Sequence, residues 1–161
     1  MGSPVLGTNL LCQVGILVND IEKTSQDWAE FLGVEPPEIQ ITGDVNEART
    51  RYSGAPSEAR AKLAFFHVGP DVDVELIEPD KDPASTWRHD LDVNGEGFHH
   101  IAFVVQGMKE KIAACERAGY KLLQTGEYSG GRYAYIDADE KLKLVLELLE
   151  NDGPAEKAGA V

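Results

Sequence analysis

Residues 12–18 (CQVGILV) recur as residues 99–105 (HHIAFVV) at an offset of 87, and residues 74–78 (VELIE) recur as residues 146–150 (LELLE) at an offset of 72. Either pair alone would be two amphipathic strands that look alike. Both pairs in the same order, around helices ending at Gly33 and Gly119, identify an internal duplication. Two like modules related by a pseudo-two-fold axis bring equivalent positions together across a shared sheet.

Each copy reads as βαβββ, which makes the chain an α+β protein of tandem modules. In the first copy a tight apolar run predicts a strand over 12–18. A helix follows over 20–32, with Asp20 as N-cap, Ile21, Trp28, Phe31 and Leu32 on one face, and Gly33 as the left-handed residue after its end. Pro36 and Pro37 break the chain, and strands are expected over 48–53, 61–68 and 72–78, the last two around a Gly69-Pro70-Asp71 turn. Residues 79–83 are a polar linker, after which Ser85 can cap a short helix running through Trp87 and Leu91 to Gly95. The second copy has a strand over 98–105, a helix over 108–118 closed by Gly119, and strands near Tyr120, Arg132 and Lys143. This gives one domain over 10–150: module one at 10–79, linker and short helix at 80–95, module two at 96–150. The termini, 1–9 and 151–161, are expected to be flexible; the tail is rich in Gly, Ala, Glu and Lys.

Composition bounds the partners. No window approaches the roughly 20 apolar residues of a membrane helix, and residues 1–9 carry no leader pattern. Cys12 and Cys115 sit in apolar stretches with no zinc or redox spacing, which fits buried thiols and a cytoplasmic address. Twenty-eight acidic against 15 basic residues give a net charge of −13, which opposes nucleic acid as a partner. An anionic carrier such as coenzyme A would need a local basic patch.

The equivalent positions of the two copies hold Gln13, Glu75, His100 and Glu147. Gln13 shares a strand face with Gly15 and Leu17, and His100 shares one with Ala102 and Val104. Glu75 and Glu147 lie mid-strand between apolar neighbours that point the other way. A buried carboxylate is costly unless it is paired or bound to a metal. Singly, each residue is an ordinary strand polar group; at four equivalent positions they point to one divalent ion. The mixed N/O set suits Zn, Ni, Co, Mn or Fe(II) without choosing among them. By strict alternation His99 faces away from His100 and reads as structural or solvent-facing, while His67 and His89 stay unassigned.

With these residues in place the chain resembles the vicinal-oxygen-chelate (glyoxalase-like) superfamily over about 11–150, and GEGFHHIAF at 95–103 is similar to methylmalonyl-CoA epimerases. The resemblance implies a vicinal-oxygen-chelate fold around a metal-binding cavity, with a homodimer common among members. It places the ligands on Gln13, Glu75, His100 and Glu147, where epimerases carry His at the first position and some carry Gln at the second. The loop Ser129-Gly130-Gly131-Arg132 also resembles epimerases: its glycines would let backbone amides approach an anion, and Arg132 could fork onto a substrate carboxylate. Epimerases carry a further acid on the strand equivalent to 61–68, and AKLAFFHV has none.

The implied reaction is metal-dependent isomerisation or epimerisation by proton abstraction beside a carbonyl, with Glu147 as first base and Glu75 as second. The substrate would be a small acyl or carbonyl compound, a coenzyme A thioester among them. A glyoxalase I-like lyase shares the Gln, Glu, His, Glu set, but the positions of that family's glutathione contacts hold Leu17 and Pro79. Iron extradiol dioxygenases use two His and one Glu, unlike Gln13 and Glu75. A non-catalytic ligand-binding member would share the fold and turn nothing over.

Overall fold

The computed structural model describes residues 4–153. Its elements are β1 (Leu11–Leu17), α1 (Ile21–Leu32), β2 (Gln40–Ile41), α2 (Val45–Ala48), β3 (Arg51–Tyr52), β4 (Ala55–Pro56), β5 (Ala61–His67), β6 (Asp73–Pro79), α3 (Thr86–Asn94), β7 (Gly97–Val104), α4 (Met108–Arg117), β8 (Lys121–Tyr128), β9 (Gly131–Asp137), α5 (Asp139–Leu142) and β10 (Val145–Asn151). Of the termini expected to be flexible, 1–3 and 154–161 lie outside the described residues. Val5 and Leu6 instead pack against the core beneath α4, and Asn151 closes β10. No helix among the described residues is long and apolar enough to cross a membrane.

Ten strands form one mixed sheet in the order β2-β5-β6-β1-β7-β10-β9-β8-β3-β4. Read outward from the antiparallel β1–β7 pair, the first copy runs β1-β6-β5-β2 and the second β7-β10-β9-β8. Both open with a parallel pairing, β1 to β6 and β7 to β10, and continue antiparallel. The duplication therefore extends from sequence to topology.

The strand expected over 48–53 is the one misplaced element. Asp44 accepts from the backbone N–H of Asn46 and Glu47, which starts the single turn α2, and Arg49 ends it in the left-handed region (φ 47°). Only Arg51 and Tyr52 stay extended. They form a hairpin with β4 and reach across to β8 of the other copy, while Gln40–Ile41 takes the place beside β5. A local cap outweighed the strand propensity of the segment.

α1 covers one sheet face over Phe66, Val74 and Leu76, and α4 covers the same face of the second copy over Ala134, Ile136, Leu146 and Leu148. The opposite, inner face carries Leu17, Ile77, Tyr133 and Tyr135, roofed at one end by Trp87 and Leu91 of α3. Equivalent carboxylates cap the two long helices: Glu78 accepts from the Ile21 N–H at 2.8 Å, and Glu150 accepts from the Gly107 and Met108 N–H groups. The first strands also carry matching β-bulges. β1 has an extra residue at Cys12, just before Gln13, and β7 has one at His99, just before His100.

Candidate metal centre

Glu75 on β6, His100 on β7 and Glu147 on β10 converge on the inner face, where they are 6%, 0% and 4% exposed. Strand alternation puts them there. Val74 and Leu76 point towards α1 and Leu146 and Leu148 towards α4, so the intervening glutamates point inward. His100 Nε2 lies 3.0 Å from Glu147 Oε2 and 3.5 Å from Glu75 Oε2. One donor atom from each of the three falls within 4.8 Å of the others.

Close as they are, these atoms lack hydrogen-bond alignment. Glu75 Oε2, His100 Nε2 and Glu147 Oε2 are all buried without a hydrogen-bond partner among the described residues. An unsatisfied buried polar atom costs about 1–3 kcal/mol, and more when charged. One divalent cation between them would satisfy all three, and an imidazole with two carboxylates is a donor set that Zn, Co, Ni, Mn or Fe(II) accepts.

Gln13 is half-buried on β1 at the register position that mirrors His100: Gly15 pairs with His100, and Gln13 pairs with Ala102, the equivalent of Gly15 in the second copy. The glycine at 15 is a steric requirement, because a Cβ there would overlap the His100 imidazole. Gly15→Ala should therefore displace the ring, at an overpacking cost of about 1–3 kcal/mol, and weaken zinc binding as well. Denaturant unfolding and zinc titration read both effects; a variant equal to the parent in each would contradict the placement of the ring.

Burial alone would pull the His100 imidazole down, but the carboxylates of Glu147 and Glu75 outweigh it and hold the group up at about 9 when no ion is bound. Burial in turn raises Glu75. A pKa raised on folding stabilises the fold below the unfolded value, about 6.5 for His, and that stability is lost as pH rises through the folded value. Metal-free protein should accordingly lose thermal stability from about pH 6.5 to about 9, and zinc, by replacing the proton, should blunt the loss. Melting curves across that window test this, and a flat metal-free profile would contradict it.

His99 does not face away from His100. It is 5% exposed, its Nδ1 lies 3.0 Å from His100 Nδ1, and the two rings meet edge to face at 5.2 Å between centroids. The bulge at His99 is the reason: an extra residue breaks strict alternation and lets neighbouring side chains share one side. Tyr135 packs edge-on against both rings. His89 and His67 lie at the surface, each against an aspartate, Asp90 and Asp73 respectively.

Gly130, Gly131 and Arg132 are not brought to this cluster. Gly130, at φ 87°, makes the β8–β9 turn, and Arg132 shares the outer face of Ala134 and Ile136. Its guanidinium donates to Glu150 at 2.9 Å and to Asp152 at 2.5 Å, so both arms of the fork are engaged within the chain.

The sequence profile described as the Glyoxalase/Bleomycin resistance protein/Dioxygenase superfamily matches residues 12–135. The uncharacterized protein YqjC of Bacillus subtilis (strain 168) is 31% identical over 99 residues, which span 60% of this chain and 69% of that protein. Among solved structures, methylmalonyl-CoA epimerase from Mycobacterium tuberculosis superposes with a TM-score of 0.61 at 17% identity, covering 96% of this chain and 93% of that one. A Streptomyces coelicolor methylmalonyl-CoA epimerase variant in complex with 2-nitronate-propionyl-CoA gives 0.60 at 19% identity, covering 92% and 97%. At these identities the structural likeness establishes the fold.

Proposed function

The chain belongs to the glyoxalase/bleomycin resistance/dioxygenase superfamily, and on that footing we propose that it is a divalent-metal-dependent isomerase or epimerase that moves a proton on the carbon beside a carbonyl. The observation that carries this reading is the convergence of Glu75 and Glu147, from strands on either side of the β1–β7 pair, upon the buried His100. Glu75, His100 and Glu147 would hold the ion, with Gln13 as fourth donor from the equivalent position in the first copy. A metal bound there supplies a Lewis acid that favours an enolate, a contribution of several kcal/mol.

The chain's own residues supply the rest. Inversion at carbon needs one base on each face of the carbon acid. The two glutamates enter from opposite halves of the duplicated sheet; in this scheme an ionised Glu147 takes the proton from one face, a protonated Glu75 delivers its own to the other, and the two leave the step with their protonation states exchanged. Each carboxylate must turn from its place in the cluster to reach the carbon. Tyr135, Trp87 and Leu17 wall the inner face and exclude water, which strengthens every charge interaction inside.

A small acyl or carbonyl compound is the substrate class, with a coenzyme A thioester as its first representative, in keeping with epimerases of the same fold. Against the overall acidity of the chain, a groove of about 510 Å³ at the β8–β3 edge gathers Arg49, Arg51, Lys109 and Arg132; Arg49 is paired with Glu127 and Arg132 with Glu150 and Asp152, so Arg51 and Lys109 are the charges it would offer an anionic carrier. Glutathione fits less well, because Leu17 and Pro79 are buried and apolar. The test is solvent deuterium uptake into methylmalonyl-CoA by metal-free and metal-reloaded protein. Uptake only in the reloaded form supports the reading; metal binding without uptake from this or other acyl and carbonyl acids would overturn it in favour of a binding member.

A further inference from the structure

We infer that Asp90 and His99 form a hydrogen-bonded relay whose task is to fix the tautomer and orientation of His100, making them positioning residues of the metal centre. The inference rests on the metal reading of the cluster and extends it to two residues outside it.

The contacts are a chain of three groups. Asp90 Oδ2 lies 2.9 Å from His99 Nε2, and His99 Nδ1 lies 3.0 Å from His100 Nδ1. Proton accounting leaves one arrangement. A His100 that offers its Nε2 lone pair to an ion must carry its single proton on Nδ1. That proton points at His99 Nδ1, which must then accept and so be unprotonated. His99 therefore holds its own proton on Nε2, the nitrogen that faces the Asp90 carboxylate. Each donor meets an acceptor: moving either imidazole's proton alone would place two protons or none between the two Nδ1 atoms, and moving both would occupy the His100 Nε2 lone pair and leave His99 Nε2 without a proton for Asp90.

The surroundings hold the relay in place. Ser85 caps α3 through the Arg88 N–H, and Trp87 anchors the helix by donating to the Tyr135 hydroxyl at 3.0 Å. The Asp90 carboxylate is further contacted by Thr86 Oγ1 at 3.4 Å and His89 Nδ1 at 2.8 Å. Tyr135 closes on both imidazoles from the side, with centroids at 5.5 Å and 5.1 Å. The helix between the two copies thus has a use that the repeat does not explain: it brings a carboxylate to the back of the second copy's histidine pair. A carboxylate or other acceptor behind a metal-bound histidine typically contributes 10- to 100-fold in metal affinity. Here the acceptor is a second histidine, with the carboxylate one step further out.

The experiment compares Zn(II) dissociation constants, by competition with a chromophoric chelator, for the parent, Asp90→Ala, His99→Leu and His99→Gln. ¹⁵N-edited imidazole NMR spectra of the zinc-loaded proteins accompany them. Asp90 is half-buried, and melting curves of Asp90→Ala and His99→Gln identify the folded variants whose zinc constants are compared even if His99→Leu does not fold. The expected result is a roughly 10- to 100-fold weaker constant for Asp90→Ala and His99→Leu. The protected His100 Nδ1–H resonance should also be lost. His99→Gln, whose amide can accept from His100 and donate to Asp90, should recover part of both. Asp90→Ala binding zinc as tightly as the parent with the resonance unchanged would overturn the relay alone. A parent that takes up no zinc would overturn the metal reading and the relay with it.

Discussion

Glu147→Gln should lower turnover by about 10²- to 10⁴-fold, the usual contribution of a positioned general base, while zinc stays bound. The amide oxygen can still serve as a donor, as Gln13 does in the proposed ligand set, but it cannot take a proton at neutral pH. Glu75→Gln should fall by a similar factor. If two bases act on opposite faces, each variant blocks interconversion yet lets one configuration of the substrate exchange its proton with solvent, a different one in each case. Deuterium incorporation into the separate stereoisomers reads this directly. Full turnover and exchange in Glu75→Gln would remove the second base from the scheme.

His100→Ala should have the largest effect on the molecule itself. His100 is fully buried against two carboxylates, 3.0 Å and 3.5 Å away. Removing it leaves Glu75 and Glu147 facing each other with no cationic partner, and removing one partner of a buried ion pair costs about 3–5 kcal/mol. The same substitution takes a donor from the metal. A structural zinc site contributes about 10–16 kcal/mol over its ligands, so one donor in four is worth about 3 kcal/mol, a hundredfold or more in affinity. Metal-free His100→Ala should thus melt well below the parent near neutral pH and recover at low pH, where the carboxylates take up protons. A variant that melts with the parent and keeps its zinc affinity would contradict the assigned geometry.

The grouping of Glu75, His100 and Glu147 is legible because duplication is visible in sequence. The paired offsets mark the three as equivalent inward-pointing positions, and strand alternation accounts for all of them. Alternation failed at His99, where a bulge inserts a residue; the signal that could have found it is the equivalence of His99 and Cys12, each directly before a first-strand ligand position. Both are buried, and burial holds the Cys12 thiol up at about 12, an inert group beside the cluster. The glycine-rich loop suggests Arg132 as a substrate anchor; the bonds of its guanidinium to Glu150, which also caps α4, and to Asp152 are pairings that no local pattern reveals. The strand expected over 48–53 yields to the cap at Asp44, a local signal present in the sequence itself. The reach of β3 across to β8 is a long-range pairing that no local pattern announces.

On the proposed reading, the orphaned buried atoms Glu75 Oε2, His100 Nε2 and Glu147 Oε2 together hold one cation. Elemental analysis of protein stripped with chelator, reloaded with zinc and freed of excess by gel filtration tests it most directly. One ion per chain, accompanied by a rise in melting temperature over the stripped form, is the expected result. A folded protein that retains well below one ion per chain, with an unchanged melting temperature, would contradict the claim and leave Glu75, His100 and Glu147 as a buried ion-pair cluster with no metal to hold.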